Sequence, residues 1–462
     1  MANSNRSPLS GENKMGTAPV GKLLFSMAWP LMASMLVQAF YNVVDSLYVS
    51  RVGQDAVTAL GLAFPVQNMQ IGFATGIAVG VNALLSKSLG ENNRERASQA
   101  AGTGILLVLL ATAVFMLFGI FGARPFFEMQ SSVKNTVDGG SAYVAICCIA
   151  SLGIFVEILG ERLLQASGKT IYTLFTQGTG AILNIILDPF FIFGWGFFPE
   201  MGIAGAAVAT VIGQWVAAIL AVIFNLKFNH DITFSLRNLR FHKYTTGPIL
   251  AVGIPSTLMM AIGSVMNFGM NLIFQSFQEA ATAVFGLYYK IQSLFFMPVF
   301  GLNNVTISIV AYNYGARQPE RIRKTMKLSV GAIACFMLAG LAVFEAIPGQ
   351  LMDMFDANEQ MRTMGICALR IVALAFPLAS VGIGLGASFQ ALGNGIYSTI
   401  TSLSRQLIVL LPAAWLLSLS GDVNMVWWAF PIAEVVSMAV TLVLYGRIHR
   451  QKIKPLYTWE NA

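Results

Sequence analysis

Charge is scarce in this chain. Only 11% of its 462 residues are Asp, Glu, Lys or Arg, whereas 56% are hydrophobic, and the mean hydropathy is +0.68. A soluble domain carries about 25% charged residues, so most of this surface is expected to face lipid. Residues 1–20 lack the apolar core of a cleaved signal peptide, and we expect a short disordered tail there. The composition therefore predicts an all-α protein that crosses the membrane many times.

The residues needed for several kinds of chemistry are also missing. His230, His242 and His449 all lie in polar, basic segments, so no histidine is placed to carry protons within the membrane. The four cysteines lack metal-ligand spacing. Gly168-Lys169-Thr170 resembles the end of a phosphate-binding loop, but Leu163 stands where that loop requires a glycine. There is no aspartate cluster of the DDxxD type for a magnesium-dependent prenyl transferase. The sequence therefore predicts neither an enzyme nor a cofactor, and any proton coupling must use carboxylates.

Twelve apolar segments are long enough to cross a bilayer, which takes about 20 helical residues. We predict membrane helices 1 to 12 at residues 23–50, 56–86, 97–121, 139–165, 170–195, 201–227, 245–277, 281–312, 320–346, 361–391, 396–419 and 424–447.

Basic residues alternate between the two sides of these helices. Most of the 28 lysines and arginines fall in the amino-terminal segment, in every second loop and near the carboxyl end, whereas the opposite loops hold Arg51, Arg124, Lys134 and Arg362. Positively charged loops stay in the cytoplasm. We therefore expect both termini there, in the plasma (inner) membrane of a prokaryote. This distribution assigns the net charge of +7 to membrane orientation and not to nucleic-acid binding.

The chain contains two copies of one pattern. A shift of 225 residues gives the matches Pro30/Pro255, Asn42/Asn267, Gln67/Gln292, Gly76/Gly301 and Arg96/Arg321. Each copy holds six helices, an even number, so the copies are predicted to insert in the same orientation as parallel lobes around a central cavity. The predicted division is a tail (1–22), an N-lobe (23–228), a basic cytoplasmic linker (229–243), a C-lobe (244–451) and a second tail (452–462).

Two carboxylates interrupt apolar segments of the N-lobe, Asp45 in helix 1 and Asp188 in helix 5. A charge at the centre of a membrane helix costs about 2.5–3.5 kcal/mol on insertion scales. Asn184 shares a helix face with Asp188, and Gln38 and Asn42 form a similar stripe with Asp45. These residues predict a place where a cation, a proton or a charged substrate is bound within the bilayer.

The same residues belong to a longer pattern. It consists of Pro30, Gln38 and Asp45 in helix 1, Asn-x-x-x-Asp-Pro at 184–189 in helix 5, Gln165-Ala166-x-Gly168 before helix 5, and Gly205-Ala206-Ala207-Val208-Ala209-Thr210 in helix 6. This pattern resembles the multidrug and toxic compound extrusion (MATE) transporters over essentially the whole chain, and most closely their prokaryotic drug-efflux branch. The resemblance implies a V-shaped bundle of two lobes that exports organic cations and drugs by alternating access, in exchange for protons or sodium ions.

The resemblance also implies roles for individual residues. Asp45, Asn184, Asp188 and Thr210 match the positions of a coupling-ion site, where their oxygens would ligate sodium if the ion is sodium. A buried carboxyl group that favours its neutral form would instead hold a proton. Gln38, Tyr41 and Asn42 are candidate substrate-binding residues. The choice between the two ions stays open at this point.

Helix 4 carries two further acids on one face, Glu157 and Glu161, where the resemblance implies asparagine. They are candidate substrate-binding residues and could also change the number of protons that are carried. Alternatively, Glu161 is held by Arg162 or Lys169 near the cytoplasmic end. When the chain is shifted by 225 residues, none of the acids Asp45, Asp188, Glu157 and Glu161 falls on an acid of the C-lobe. We therefore expect the residues that couple transport to the ion to lie in the N-lobe.

The C-lobe has buried charges of its own, Lys290, Arg405 and Glu434. We expect an Arg405–Glu434 ion pair that fixes helix packing, whereas Lys290 either tethers an acid in the cavity or moves when the lobes rock. Small-molecule cations and membrane lipid are the expected partners of a monomer. The alternative function is a flippase for lipid-linked precursors, which would favour a more cationic cavity and additional helices.

Pro30 and Pro255 occupy equivalent places and are expected to break helices 1 and 7, because proline removes a backbone hydrogen bond and permits a kink. A static kink is one interpretation. The other is that protonation of Asp45 changes the bend of helix 1 and closes the pocket of the N-lobe.

Under the second interpretation, Pro30→Ala is expected to reduce transport while expression stays intact, because an alanine at this place restores a straight, stiffer helix. The measurement is efflux of ethidium from cells, normalised to the amount of protein in the membrane. Unchanged efflux would contradict a role for the bend.

Overall fold

The computed structural model describes residues 13–196, 198–355 and 358–460, and within these ranges the regular structure is helical. A helix satisfies its backbone N–H and C=O groups within its own segment, which lipid requires of a single spanning segment. The first six long helices are α1 (Val20–Ser50), α2 (Gln54–Gly90), α3 (Arg94–Leu117), α4a (Lys134–Ile149) with α4b (Leu152–Ala166), α5 (Ile171–Phe193) and α6 (Ile203–Phe228). The second six are α7 (Lys243–Gln275), α8 (Glu279–Gly315), α9 (Pro319–Ala346), α10a (Glu359–Ala373) with α10b (Phe376–Ala391), α11 (Gly395–Ser418) and α12 (Ala429–Ile448).

The described helices agree with the twelve predicted segments. Nine helices are long and apolar enough to cross a membrane, and the pairs α4a–α4b and α10a–α10b, bent by 47° and 48°, each qualify as one further span. Only α5 is too polar to qualify, because Gln177, Asn184 and Asp188 interrupt it. It nevertheless packs along α1 and α6 within the bundle and completes the set of twelve. Segments 4 and 10 were predicted as single helices, and the two bends correct that prediction.

The two lobes, α1–α6 and α7–α12, meet through reciprocal contacts between the repeats. Gly76 on α2 packs on the backbone of Gly253 in α7, and its repeat equivalent Gly301 on α8 packs on the backbone of Leu31 in α1. A Cβ atom at either glycine would overlap the facing main chain, so a larger residue would push the lobes apart. The repeated glycines of the sequence are therefore the points where the lobes touch.

The lobes separate toward one end of the bundle. We call the end that carries residues 13–19 and the linker before α7 the tail end, and the other the open end. Among the described residues, the hydrogen bond between α2 and α7 nearest the open end joins Asn68 Nδ2 to Ser264 Oγ at 3.4 Å. Beyond it, Phe64 is 52% exposed and Phe268 65% exposed. The lobes thus form a V that is closed at the tail end.

Residues 13–19 are not the disordered tail expected from the sequence, whereas residues 1–12 lie outside the described residues. A short helix, Lys14–Thr17, buries Met15 completely. Arg321 on α9 donates to the carbonyls of Met15 at 2.9 Å and Ala18 at 2.8 Å. On the N-lobe side, Asn13 Nδ2 donates to the carbonyl of Ser167 at 3.2 Å. This segment, which we call the strap, therefore joins both lobes at the tail end.

Pro30 and Pro255 do not break their helices. Each lies inside an uninterrupted helix, Pro30 in α1 and Pro255 in α7. The neighbouring turns continue because the flanking residues keep their own helical hydrogen bonds, so each proline removes one bond without ending the helix.

The strap generates a prediction in which the repeat supplies the control. Arg321→Ala is expected to destabilise the protein by about 2 kcal/mol, because two carbonyls lose charge-assisted hydrogen bonds. The equivalent Arg96 pairs with Glu91 at 3.1 Å near the surface, and Arg96→Ala is expected to cost less than about 1 kcal/mol. Thermal denaturation in detergent measures both. An equal or larger effect of Arg96→Ala would contradict the structural role of the strap.

Candidate functional site

Two helices of the N-lobe place a polar face against each other near the open end. Asn184 and Asp188 follow one another by one turn on α5, and Thr210 lies on α6. Asn184 Nδ2 donates to Thr210 Oγ1 at 3.1 Å. All three side chains are buried, with exposed fractions of 2%, 0% and 8%. The α5–α6 contact therefore encloses a carboxylate, an amide and a hydroxyl.

Helix α1 adds two side chains to this group. The side chain of Tyr41 lies within interaction distance of Thr210. The carboxylate of Asp45 lies close enough to Asp188 for the two to interact electrostatically. The structure thus brings together five residues that the sequence analysis singled out, and we call Tyr41, Asp45, Asn184, Asp188 and Thr210 the acid cluster.

The acid cluster has an excess of hydrogen-bond acceptors. Asp45 Oδ1, Asn184 Oδ1 and both carboxylate oxygens of Asp188 are buried and have no hydrogen-bond donor among the residues that the structure describes. A buried polar atom without a partner costs about 1–3 kcal/mol, and a buried charge costs more. All four atoms are acceptors, so a bound cation or a proton satisfies them whereas an anion does not. This oxygen-rich set fits either coupling ion considered from the sequence.

Two side chains behind the acid cluster were missed as site residues. Gln67 on α2 donates to the Tyr143 hydroxyl on α4a at 2.7 Å. Tyr143 is buried and lies within electrostatic reach of Asp45 and Tyr41. The repeat carried a usable signal, because Gln67 is matched by Gln292 in the other copy.

Glu157 and Glu161 do not belong to the acid cluster. Glu161 is buried on α4b and accepts hydrogen bonds from Thr176 Oγ1 at 2.7 Å and Gln177 Nε2 at 2.8 Å. Gln177 precedes Asp188 by eleven positions on α5, which corresponds to about 16 Å along a helix. Glu157 and Glu161 were expected to bind substrate together with Gln38, Tyr41 and Asn42, but the structure places them toward the tail end.

The expected basic partners of Glu161 have other contacts. Lys169 Nζ lies 3.3 Å from Asp231 Oδ2, and Arg162 Nη1 donates to Gln165 Oε1 at 3.1 Å. Two neutral donors therefore hold Glu161, while Arg162 adds a more distant favourable charge. The alternative in which Lys169 holds Glu161 was wrong, because Asp231 from the linker takes that lysine.

Gln38 and Asn42 lie on the side of α1 that turns toward the C-lobe. Leu31, which contacts Gly301 of α8, marks this face. Gln38 lies seven residues and Asn42 eleven residues beyond Leu31, two and three helical turns along the same stripe. Gln38 is half-buried and Asn42 is exposed. Both are placed to line the cleft between the lobes.

The charged residues of the C-lobe divide into a pair and a single lysine. Arg405 Nη1 lies 3.2 Å from Glu434 Oε1, the ion pair expected from the sequence. Arg405 occupies a π-helical turn, Ser404–Leu410, a distortion that is frequent at functional positions. Lys290 on α8 is exposed, and no carboxylate of the described residues lies within 4 Å of it. The interpretation that Lys290 tethers an acid was therefore wrong for this structure.

Comparison with known proteins fits this geometry. A family model described as MatE matches residues 30–190 and again residues 255–416, one match in each lobe. The chain belongs to the MatE family. Members of this family are membrane transporters and not enzymes, as predicted from the sequence. The two matches begin at Pro30 and Pro255, so they confirm the internal repeat as well.

Relatives of this MatE protein are similar over nearly their full length. The FAD transporter of Shewanella oneidensis is 23% identical over 436 residues, 94% of this chain and 96% of the relative. The multidrug export protein MepA of Staphylococcus saprophyticus is 22% identical over 427 residues, 92% of this chain and 93% of the relative.

Solved structures show that the fold is that of MATE transporters, with twelve membrane helices in two lobes. A crystal structure of MATE in complex with MaL6 has a TM-score of 0.91 and 24% identity, and the match covers 97% of this chain and all of that one. An outward-facing conformation of a multidrug resistance MATE family transporter of the MOP superfamily also has a TM-score of 0.91 at 24% identity, over 98% of this chain and all of that one.

Proposed function

We propose that this MatE family member exports organic cations and drugs by alternating access, in exchange for protons, sodium ions or both. The observation that carries the proposal is the set of four buried acceptor oxygens without donors in the acid cluster. Such a set is costly when nothing binds there and favourable when a cation or a proton does. A transporter needs this contrast, because the coupling ion must change the free energy of one lobe.

The residues of the acid cluster have separate roles in this proposal. Asp45 and Asp188 supply the negative charge, and Asn184 Oδ1 supplies a neutral oxygen beside them. Tyr41 lies beside Thr210 where α1 meets α6, so the two side chains keep the carboxylates at a fixed separation. A bound ion removes the mutual repulsion of two nearby carboxylates. Ion binding therefore favours closer packing of α1 against α5 and α6.

Exchange follows if the ion and the substrate stabilise different arrangements of the lobes. A ligand shifts a conformational equilibrium only by its difference in affinity for the two states. The acid cluster lies near the open end of the V, where a cation from that side reaches it. An organic cation in the same cleft competes with the ion for the negative charge, so the two bind in turn.

The comparisons support a drug exporter of this kind. The MepA relatives are named multidrug export proteins, and a neighbour in the solved structures is a multidrug resistance MATE family transporter. The inner membrane of a prokaryote and a monomer, with both termini in the cytoplasm, complete the proposal. A flippase for lipid-linked precursors is the weaker alternative, since unpaired acceptor oxygens attract cations rather than a pyrophosphate group.

Transport in proteoliposomes tests the proposal. Uptake of ethidium is measured under an imposed proton gradient and, separately, under a sodium gradient. Asp45→Asn and Asp188→Asn are each expected to abolish gradient-driven uptake, because an amide neither releases a proton nor supplies charge to sodium. Asp55→Asn is the matched control: Asp55 is an exposed aspartate of the same lobe that lies outside the acid cluster.

The gradient that drives uptake identifies the ion. If the native chain takes up ethidium under neither gradient, this result contradicts an ion-coupled exporter and favours a lipid substrate. Equal loss in Asp55→Asn would show that the effect is not specific to the acid cluster.

A further inference from the structure

Lys290 has no acid partner within the part of the chain that the structure describes. Gly301 of α8 touches Leu31 of α1 across the contact between the lobes. Lys290 precedes Gly301 by eleven residues, which is about three turns and about 16 Å along a helix. Lys290 therefore lies on the same face of α8 as Gly301, nearer the open end. Its side chain is exposed, and its place on this face of α8 puts it at the space between the lobes.

Lys290 lies at the same depth as the acid cluster. On α1, Asn42 lies eleven positions after Leu31. On α8, which runs antiparallel to α1, Lys290 lies eleven positions before Gly301. Asn42 and Lys290 thus stand at one level on opposite walls of the cleft. Asp45 lies three residues beyond Asn42, less than one helical turn. A positive group and a negative cluster therefore face each other across the open part of the V.

Neighbouring groups of the C-lobe do not compensate Lys290. Glu434 is paired with Arg405, so that pair is neutral as a whole. Tyr288 and Tyr289, which precede Lys290 on α8, carry neutral hydroxyl groups and supply no countercharge. Lys290 remains as a cation with three N–H donors available to a ligand.

We propose that the cleft binds dipolar substrates, whose cationic group approaches the acid cluster while an anionic oxygen group such as a carboxylate binds Lys290. The inference rests on the proposed export of organic cations and narrows the class of substrate. A compound with one positive charge gains from the acid cluster but is repelled by Lys290. A carboxylate on the same molecule turns that repulsion into a charge-assisted hydrogen bond.

Two dyes that differ by one methyl group test this inference. Rhodamine 110 carries a free carboxylate, and rhodamine 123 is its methyl ester with a single positive charge. Fluorescence polarisation with purified protein in detergent gives the Kd of each dye. We expect rhodamine 110 to bind about fivefold more tightly relative to rhodamine 123, the scale of a solvent-exposed ion pair. Lys290→Gln is expected to remove this ratio and Lys290→Arg to keep it.

Lys134→Gln provides a control for diffuse attraction. Lys134 is an exposed lysine at the open end of the N-lobe, at the start of α4a. A ratio that changes in Lys290→Gln and not in Lys134→Gln supports the inference. A ratio that is the same in native protein and Lys290→Gln, or that changes equally in both variants, overturns it.

Gradient-driven uptake of rhodamine 123 into proteoliposomes separates this inference from the export function. If the native chain takes up rhodamine 123 but binds both dyes alike, the role of Lys290 is overturned and the export function stands. If it takes up neither dye under either gradient, the export function is overturned, and the inference that rests on it is overturned too.

Discussion

Three buried carboxylate oxygens that have no hydrogen-bond donor among the described residues, one on Asp45 and two on Asp188, are the constraint on which the rest of the structure depends. Asp188 is completely buried, and neither of its carboxylate oxygens has a donor. The cost of such a group is several kcal/mol unless something binds. Helices α1, α5 and α6 hold both acids in place through a tyrosine, an asparagine and a threonine, which provide geometry without neutralising charge. The scaffold thus maintains a site whose stability depends on its occupant.

The internal repeat separates what the fold needs from what the function needs. Gly76 and Gly301 are the same in both copies because each is a point of backbone contact between lobes. Asp45, in contrast, corresponds to Met270, which is completely buried among apolar side chains. One copy therefore carries the charge, and the other offers Lys290 to the same cleft. The packing is symmetric while the electrostatics are not, which gives the cleft a direction.

Much of this architecture could be predicted from the sequence, and the exceptions have physical reasons. Long apolar segments, loop charges and the repeat indicate twelve helices in two lobes, and Asp45 and Asp188 mark the site because membrane acids are costly. The bend of α4 has no proline at its break and does not change the composition, so hydropathy does not show it, whereas α10 bends just before Pro377, a signal that a hydropathy count does not use. The contact between Gln67 and Tyr143 joins residues of different helices. Arg321 donates to main-chain carbonyls. Every residue has a carbonyl, so no sequence pattern shows which ones an arginine binds.

The strap shows how the closed end of the V is held and which part of it yields first. Toward the C-lobe, Arg321 makes two charge-assisted bonds of 2.9 and 2.8 Å to strap carbonyls, each in a class worth about 1.5–3 kcal/mol. Toward the N-lobe, Asn13 makes a bond of 3.2 Å to a carbonyl, in a class worth about 0.5–1.5 kcal/mol, and a longer one of 3.4 Å to Asp231. The strap continues directly into Val20 at the start of α1, so it stays covalently joined to the N-lobe whichever of these bonds break. Separation of the lobes at the tail end must therefore break the two Arg321 bonds, which hold the C-lobe to the strap.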